Sequence, residues 1–358
     1  MTEPRSAESP TRRRFRAFDL VPVENGKQTA KDFKSDQEVR WCPGCGDYVI
    51  LAAFQSFLPE LALKRENMVI VSGIGCSSRF PYYLDTYGMH SIHGRAPAIA
   101  TGLACARPDL SVWVMTGDGD GLSIGGNHLI HTLRRNVNLR ILLFNNRIYG
   151  LTKGQYSPTS EQGKVTKSSP AGSLDAPFNP LSLALGAEAT FVARTLDSDR
   201  KHLIEVLRQA SDHKGAAFVE ILQNCPIYND DAFEPLKSAE SRDDVTIRLA
   251  HGERIVYGAD GSKGIRRNPQ TGSLEPCAAD DPGVLVHDAT AADPTTAFAL
   301  SRLDDDAFSH VPVGVFRSVE RPTYDGLMRD QIADATADQG PGDLEALLTG
   351  GDTWRVDN

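Results

Sequence analysis

The stretch SVWVMTGDGDG at 111–121, followed by LRILLFNN at 139–146, decides the fold of this chain. Each begins with a short apolar run of β-branched or bulky residues, which is typical of a strand buried in a parallel sheet. The residues between them, at 121–135, have helical spacing and predict the crossover of a βαβ unit. Ligands of such sheets bind at the carboxyl ends of the strands. GDGD and NN therefore lie where a binding site is expected.

The same alternation continues on both sides of this unit and predicts a doubly wound, mostly parallel α/β sheet. Further strands are predicted at 68–72, 190–195 and 216–222, and further helices at 48–58, 96–106 and 199–213. Weaker strand signals follow at 254–258 and 284–288. Residues 150–180 interrupt the rhythm with a long loop of little apolar pattern, and loops of this length in compact domains are often functional.

Composition divides the chain into three parts. Residues 1–40 are polar without sustained periodicity, which indicates an N-terminal arm. Residues 41–235 carry the α/β pattern, and residues 236–358 are predicted to be an acidic C-terminal extension. From 226 to 358 there are 25 acidic against 12 basic residues, while the whole chain of 358 residues has a formal charge of −9. An acidic chain is unlike general nucleic-acid-binding proteins, so no nucleic-acid partner is expected.

Neither export nor membrane insertion is expected. The basic run TRRRFRAF at 11–18 resembles a twin-arginine export signal, but no apolar stretch follows it. We therefore interpret it as a mobile arm and expect a cytoplasmic location. No apolar run approaches the 18 or so residues of a membrane-spanning helix. The six cysteines are too sparse for a disulfide scaffold.

GDGD and NN carry the residue types that hold a diphosphate through a divalent cation. Asp118 would supply a carboxylate oxygen and Asn146 an amide oxygen, and Mg²⁺ prefers such oxygen ligands in an octahedral arrangement. The neighbouring glycines let the backbone approach phosphate. A lone GDG is common in turns, but GDG and NN at successive strand ends match the thiamine diphosphate fingerprint.

Four cysteines occupy positions that indicate a metal centre. Cys42 and Cys45 form a CxxC pair in CPGCG, Cys76 lies in GIGCSS, and Cys225 lies in NCP just after a predicted strand. A lone CxxC indicates zinc or a redox pair, but two further cysteines in strand-end loops favour a four-thiolate site. Zinc and a 4Fe–4S cluster would both accept it. We favour iron, because Cys-Pro often accompanies iron–sulfur ligation and an oxidising thiamine enzyme needs an electron acceptor.

Together these residues give the chain a family resemblance. It resembles the beta subunits of the 2-oxoacid:ferredoxin oxidoreductases, most of all the 2-oxoglutarate type, over about residues 40–235. The segments that carry the resemblance are WCPGCGDY at 41–48, GIGCSSRFPYY at 73–83, HSIHGRAPAIATG at 90–102, GDGDGLSIGGNH at 117–128 and NNRIYGLTKGQYSPT at 145–159. The arm and the acidic C-terminal third match less distinctly.

The resemblance implies a role for each matching residue. One 4Fe–4S cluster would be ligated by Cys42, Cys45, Cys76 and Cys225. Mg²⁺ would be held by Asp118, Asn146 and the carbonyl of Ile148. Thiamine diphosphate would be lined by Ile74, Gly75, Cys76, Ser77, His93, Gly119, Asp120, Gly150 and Leu151.

It also implies a reaction and partners. The family oxidatively decarboxylates a 2-oxo acid, with coenzyme A taking the acyl group and ferredoxin taking electrons through the cluster. Only the diphosphate half of a thiamine site is recognisable here, so an alpha subunit should supply the other half, in a heterodimer or an α2β2 assembly. The alternatives are a non-redox thiamine enzyme, which would need both thiamine domains in one chain, and a zinc-stapled binding protein, which leaves GDG and NN unexplained.

Three residues are candidates for contact with the reacting groups. 2-Oxoglutarate ends in a second carboxylate, so its pocket needs a cation that a pyruvate pocket can omit. Arg79 and Lys153 are the cations in cofactor-lining segments, and either type binds carboxylate. His93, in HGRA, is expected to contact cofactor or substrate. Pyruvate or another 2-oxo acid remains the alternative substrate.

Overall fold

A computed structural model of the chain describes residues 15–304, 308–351, 353, 354, 356 and 357. The basic residues 12–14 lie outside the described residues. Helices α1 to α11 span Asp47–Leu61, Phe80–Tyr83, Ala96–Ala106, Asp118–Leu122, Gly126–Arg135, Pro180–Gly186, Arg200–Asp212, Arg242–Val245, Thr295–Ser301, Tyr324–Gln339 and Leu344–Thr349. Strands β1 to β11 span Met68–Ser72, Tyr87–His90, Ser111–Gly117, Arg140–Asn145, Phe191–Leu196, Ala217–Leu222, Thr246–Leu249, Val256–Tyr257, Lys263–Arg267, Leu274–Ala278 and Val311–Ser318.

Eight strands form one sheet in the order β2-β1-β3-β4-β6-β5-β11-β7. All neighbouring pairs are parallel except β5 and β11, which run antiparallel. Strands β8, β9 and β10 form a separate antiparallel sheet. The predicted doubly wound, mostly parallel α/β fold is confirmed.

Helices cover the main sheet on both faces because successive side chains of its strands point to opposite sides. In β3, Trp113 and Met115 pack into a core cluster that includes residues of α1 and α7. Val112 and Val114 face a second cluster that includes residues of α3, α5, α6 and α9. Because both faces are covered, most strands of this sheet have continuous apolar sequences, and this pattern made them predictable.

Strands beyond residue 235 belong to the main sheet, although the sequence indicated only an acidic extension there. Strand β11 is buried from Val311 to Arg317. Its sequence VPVGVFRS contains Pro312 and Gly314, which are depleted in strands and concealed it. The helix predicted at 121–135 is divided into α4 and α5. The segment predicted as a strand at 284–288 makes only isolated bridges.

The described part of the predicted N-terminal arm packs against the domain instead of projecting from it. Phe15, Phe18, Val21 and Phe33 are buried in the cluster that contains α1 and α7. The buried Arg140 stacks its guanidinium over the Phe18 ring, 4.7 Å from its centroid. Among the described residues, no helix combines the length and apolarity that a membrane crossing requires.

Candidate active site

The register of the parallel strands brings their carboxyl ends to one edge of the sheet. Gly117, the last residue of β3, pairs with Phe144 in β4. Asn145, the last residue of β4, pairs with Leu222 at the end of β6. Strand β1 runs parallel to β3 on the other side. The loops that follow β1, β3, β4 and β6 therefore converge, and these loops contain most of the polar motifs found in the sequence.

A cavity of about 140 Å³ opens at this edge. Its lining contains every residue that the sequence assigned to thiamine diphosphate or Mg²⁺, namely Ile74, Gly75, Cys76, Ser77, His93, Asp118, Gly119, Asp120, Asn146, Ile148, Gly150 and Leu151. The geometry thus gathers segments that are up to 77 residues apart in the chain. It also adds Gln223, from the loop after β6, to the same wall.

Asp118 is buried at the end of β3 and is held by the long loop at 150–180. Its Oδ2 atom accepts hydrogen bonds from Ser157 Oγ at 2.5 Å and Thr159 Oγ1 at 2.6 Å. Burial raises the pKa of Asp118 to about 6, and the two hydroxyl donors oppose this rise. Ser160 fastens the loop by donating to the Arg147 carbonyl at 2.6 Å. The loop therefore fixes the orientation of the carboxylate.

The side chain of Asn146 is held at both ends of its amide. Its Oδ1 accepts from the backbone N–H of Ile148 at 3.2 Å, and its Nδ2 donates to Gln223 Oε1 at 2.9 Å. The backbone turns sharply here, because Arg147 between the two has a positive φ of 56°. This turn places the Asn146 side chain and Ile148 on the wall of one cavity.

His93 and Asp120 form a hydrogen-bonded pair beside the cavity. Asp120 Oδ1 lies 2.5 Å from His93 Nδ1 and also accepts from the backbone N–H groups of Gly94 and Ile74. Its Oδ2 accepts from Thr116 at 2.6 Å. Asp120 is buried and His93 is partly exposed. The pair fixes the imidazole ring and leaves Nε2 outside this contact.

The loops that carry the four predicted cysteine ligands are bound to one another. The indole N–H of Trp41 donates to the Cys76 carbonyl at 2.8 Å, and the Gly46 N–H donates to the Asn224 carbonyl at 3.1 Å. A methyl group in place of a Gly150 hydrogen would lie 3.6 Å from the sulfur atoms of both Cys76 and Cys225. Glycine thus leaves the space between these sulfurs open.

The four thiols differ in exposure and interact electrostatically. Cys42 is exposed, Cys76 is half-buried, and Cys45 and Cys225 are buried. Burial raises the pKa of the Cys45 thiol and, to about 12, that of Cys76; the negative charge of Asp47, and then that of the neighbouring thiolates, adds to both shifts. The site therefore disfavours free thiolates and favours the entry of positive charge. No three His, Cys, Asp or Glu side chains in the described part of the chain are grouped closely enough for a single metal ion.

The two predicted substrate cations lie outside the cavity wall. Arg79 directs its guanidinium to the carbonyl of Arg40 at 3.4 Å. Lys153 is exposed and has a positive φ of 75°, and it follows Leu151 and Thr152, which do line the cavity. Their role stays a prediction, with Lys153 next in the chain to the cavity-lining Thr152 and Arg79 turned toward residue 40.

Sequence reasoning missed Ser157, Thr159 and Gln223. Ser157 and Thr159 lie in the SPT segment of the long loop, and its unusual length was the available signal. Gln223 lies two residues before Cys225, and nothing in its local sequence distinguishes it from a surface glutamine. Its importance follows only from its buried contacts with Asn146 and Cys45.

A family model for the thiamine pyrophosphate enzyme C-terminal TPP-binding domain matches residues 73–221. Thiamine pyrophosphate is another name for thiamine diphosphate. The matched range begins just after β1 and ends in β6, so it contains β3, β4 and the loops after β1, β3 and β4 that line the cavity. The fold and the site thus define a thiamine-dependent enzyme domain.

Three relatives narrow this class. The chain is 63% identical to the 2-oxoglutarate oxidoreductase subunit KorB of Mycobacterium tuberculosis over 342 residues, which are 94% of this chain and 91% of that protein. It is 44% identical to the 2-oxoglutarate synthase subunit KorB of Methanocaldococcus jannaschii, over 52% of this chain and 70% of the relative. It also matches the solved structure of the 2-oxoglutarate:ferredoxin oxidoreductase of Magnetococcus marinus, which contains 2-oxoglutarate, coenzyme A and succinyl-CoA. That match has 33% sequence identity and a TM-score of 0.73, and it covers 93% of this chain and 100% of that chain.

The chain therefore belongs to the family of 2-oxoacid:ferredoxin oxidoreductase beta subunits, of the KorB type. The family resemblance and the thiamine-dependent class predicted from the sequence are confirmed.

Proposed function

We propose that this chain is the beta subunit of a 2-oxoglutarate:ferredoxin oxidoreductase that forms succinyl-CoA and CO₂. One observation carries the proposal: Cys76 belongs both to the four-thiol group and to the wall of the thiamine-type cavity. A redox centre held by these thiols would lie beside the cavity, where it could take electrons from a thiamine-bound substrate. A non-redox thiamine enzyme has no use for the four thiols.

The cavity residues fit thiamine diphosphate with Mg²⁺. Asp118 and Asn146, with the carbonyl of Ile148, would hold the metal through oxygen atoms, which suits its preference. The hydroxyls of Ser157 and Thr159 occupy one oxygen of Asp118 and so set the direction of the carboxylate. When bound, thiamine diphosphate supplies the electron sink for decarboxylation. His93, held through Nδ1 by Asp120, has Nε2 as the ring nitrogen able to exchange a proton with a ligand.

The four thiols support a 4Fe–4S cluster when they are considered together with the cavity. Zinc and a 4Fe–4S cluster both accept four thiolates. Cys42, Cys45, Cys76 and Cys225 lie near enough to influence one another electrostatically. An enzyme that oxidises a thiamine-bound substrate needs an electron acceptor, and zinc has no redox chemistry. This requirement supports iron.

The different exposure of the cysteine thiols supports a direction of electron transfer from the cavity to the protein surface. Cys76 lines the cavity, whereas Cys42 is the exposed thiol on the outer side of the group. A cluster held by both would extend from the substrate to the protein surface. Electrons would then leave near Cys42, where a ferredoxin has access.

The size of the cavity supports the need for an alpha subunit. Pockets that enclose a cofactor have volumes of about 300–1,000 Å³. The cavity of about 140 Å³ accounts for only part of such a pocket. Another chain would enclose the rest, and the relatives are themselves described as subunits.

The proposal is tested by reconstitution without oxygen. The chain purified with its alpha subunit should contain iron and reduce ferredoxin only when 2-oxoglutarate and coenzyme A are both present. The chain alone should give no turnover, because half of the thiamine site is missing. Turnover by the single chain would contradict the assembly, and faster turnover with pyruvate would contradict the substrate.

The preference for 2-oxoglutarate gives a further prediction. Lys153→Ala and Arg79→Ala should lower kcat/KM for 2-oxoglutarate and spare pyruvate, which lacks the distal carboxylate. Loss of a charged hydrogen bond costs about 1.5–3 kcal/mol, or roughly tenfold to a hundredfold in rate. The larger effect is expected for Lys153, which is next in the chain to the cavity-lining Thr152. Lys167→Ala, in an exposed part of the same loop, is the matched control. Equal losses on both substrates would remove these residues from carboxylate recognition.

A further inference from the structure

Gln223 is a buried side chain that connects the two predicted metal sites. It follows β6 directly and is 1% exposed. Its Oε1 accepts from Asn146 Nδ2 at 2.9 Å, and its Nε2 donates to Cys45 Sγ at 3.3 Å. Nε2 also donates to the carbonyl of Asn224. A single amide therefore contacts one predicted ligand of Mg²⁺ and one predicted ligand of the cluster.

The chemistry of its neighbours fixes the orientation of this amide. The backbone N–H of Ile148 can only donate, so the Asn146 atom that accepts from it must be the oxygen. The NH₂ group of Asn146 then donates to Gln223, so the Gln223 atom that accepts must be its oxygen. At the other end, the backbone carbonyl of Asn224 can only accept, so the Gln223 atom that contacts it must be Nε2, and the same NH₂ group reaches Cys45 Sγ. Each hydrogen bond in the series from the Ile148 N–H to the Cys45 sulfur therefore joins a donor to an acceptor.

We propose that Gln223 is a positioning residue with two effects, which rest on the proposed function. Its oxygen holds the amide of Asn146 with Oδ1 away from Gln223, in the orientation that oxygen ligation of Mg²⁺ needs. Its N–H group donates to the Cys45 sulfur and raises the reduction potential of the cluster.

The second effect follows from charge. Reduction adds an electron to the cluster and increases the negative charge on the sulfur ligands. An N–H donor stabilises the more negative state more strongly, and hydrogen bonds to sulfur are among the factors that set cluster potentials. Outer-shell partners of this kind commonly also affect metal affinity. The same side chain therefore adjusts electron acceptance at one site and ligand geometry at the other.

The test uses the assembled enzyme and the variants Gln223→Met and Gln223→Glu. Methionine keeps the length of the side chain but has neither the amide donor nor the amide acceptor. In Gln223→Met with full iron content, we expect the equilibrium constant for cluster reduction to fall about tenfold, which is about 59 mV for one electron. A redox titration followed by electron paramagnetic resonance measures this shift. Calorimetry should show weaker binding of thiamine diphosphate with Mg²⁺.

The glutamate variant separates the two effects. Glutamate retains an acceptor for Asn146, so Gln223→Glu should bind thiamine diphosphate more tightly than Gln223→Met does. Gln55→Met is the matched control, because Gln55 is also buried but donates to the carbonyl of Tyr83. It should change neither the potential nor the affinity.

The failures of the inference and of the proposed function are distinguishable. A wild-type enzyme without iron would refute the cluster itself. An iron-replete Gln223→Met enzyme with an unchanged potential would refute the hydrogen bond to sulfur as a determinant of potential. If Gln223→Met does not assemble, the same titration on Gln223→Glu decides, and an unchanged potential there refutes the inference equally.

Discussion

Replacement of any one of Cys42, Cys45, Cys76 or Cys225 by serine should remove most of the iron from the anaerobically purified enzyme. A serine hydroxyl is a hard, weakly acidic ligand and a poor substitute for a thiolate on iron. Two of these sulfurs flank Gly150 and the loops of all four converge, so the loss of one ligand exposes the remaining cluster to water and exchange. The measurement is iron and sulfide per chain, together with the absorbance of the cluster.

The two remaining cysteines are controls for this experiment. Cys105 lies in helix α3, on the helical layer that covers one face of the sheet, and Cys277 lies in strand β10 of the small sheet. Cys105→Ser and Cys277→Ser should retain full iron. Full retention in Cys225→Ser would show that the fourth ligand is a different residue. A stoichiometric zinc content in wild-type enzyme would support the binding-protein alternative instead.

The common location of the predicted ligands could be deduced from the sequence because each lies in a short segment with its own signal. GDGD and NN follow apolar strands, and a parallel sheet aligns the ends of its strands whatever the intervening sequence is. The same argument applied to Cys76 and Cys225, which follow β1 and β6. For these residues the periodicity of the strands was enough to predict a common location.

The side chains that contact these predicted ligands were not predictable in this way. Gln223 contacts Cys45 across 178 positions of sequence, and Thr159 contacts Asp118 across 41. Each is a single polar side chain in a loop, without a partner at a fixed spacing. Strand β11 was missed for a related reason, since Pro312 and Gly314 broke a pattern that tertiary packing against β5 restores. Contacts made only in the folded chain leave no local trace.

Asp118→Ala should abolish binding of thiamine diphosphate to the assembled enzyme. Mg²⁺ would hold the diphosphate against the protein, and Asp118 is the only carboxylate predicted to ligate that cation. Asn146→Ala removes a neutral ligand and should weaken binding without abolishing it. Calorimetric titration with thiamine diphosphate and Mg²⁺ measures both. Asp109→Ala is the control, because this carboxylate pairs with Arg107 just before β3 begins, at the opposite edge of the sheet.

The hydroxyl donors to Asp118 supply a graded series that tests the same assignment. Thr159→Val and Ser157→Ala each leave the carboxylate in place but remove one of the two hydroxyl donors to Oδ2, and loss of such a partner costs about 10-fold to 100-fold in metal affinity. Thr159→Ser restores the hydroxyl and should recover most of the affinity. The expected order of affinity is therefore wild type, then Thr159→Ser, then Thr159→Val, with Asp118→Ala below detection. Unchanged affinity in Asp118→Ala would show that GDGD does not bind thiamine diphosphate. If Thr159→Val lowers the affinity and Thr159→Ser does not recover it, the loop contributes through packing and not through the orientation of the carboxylate.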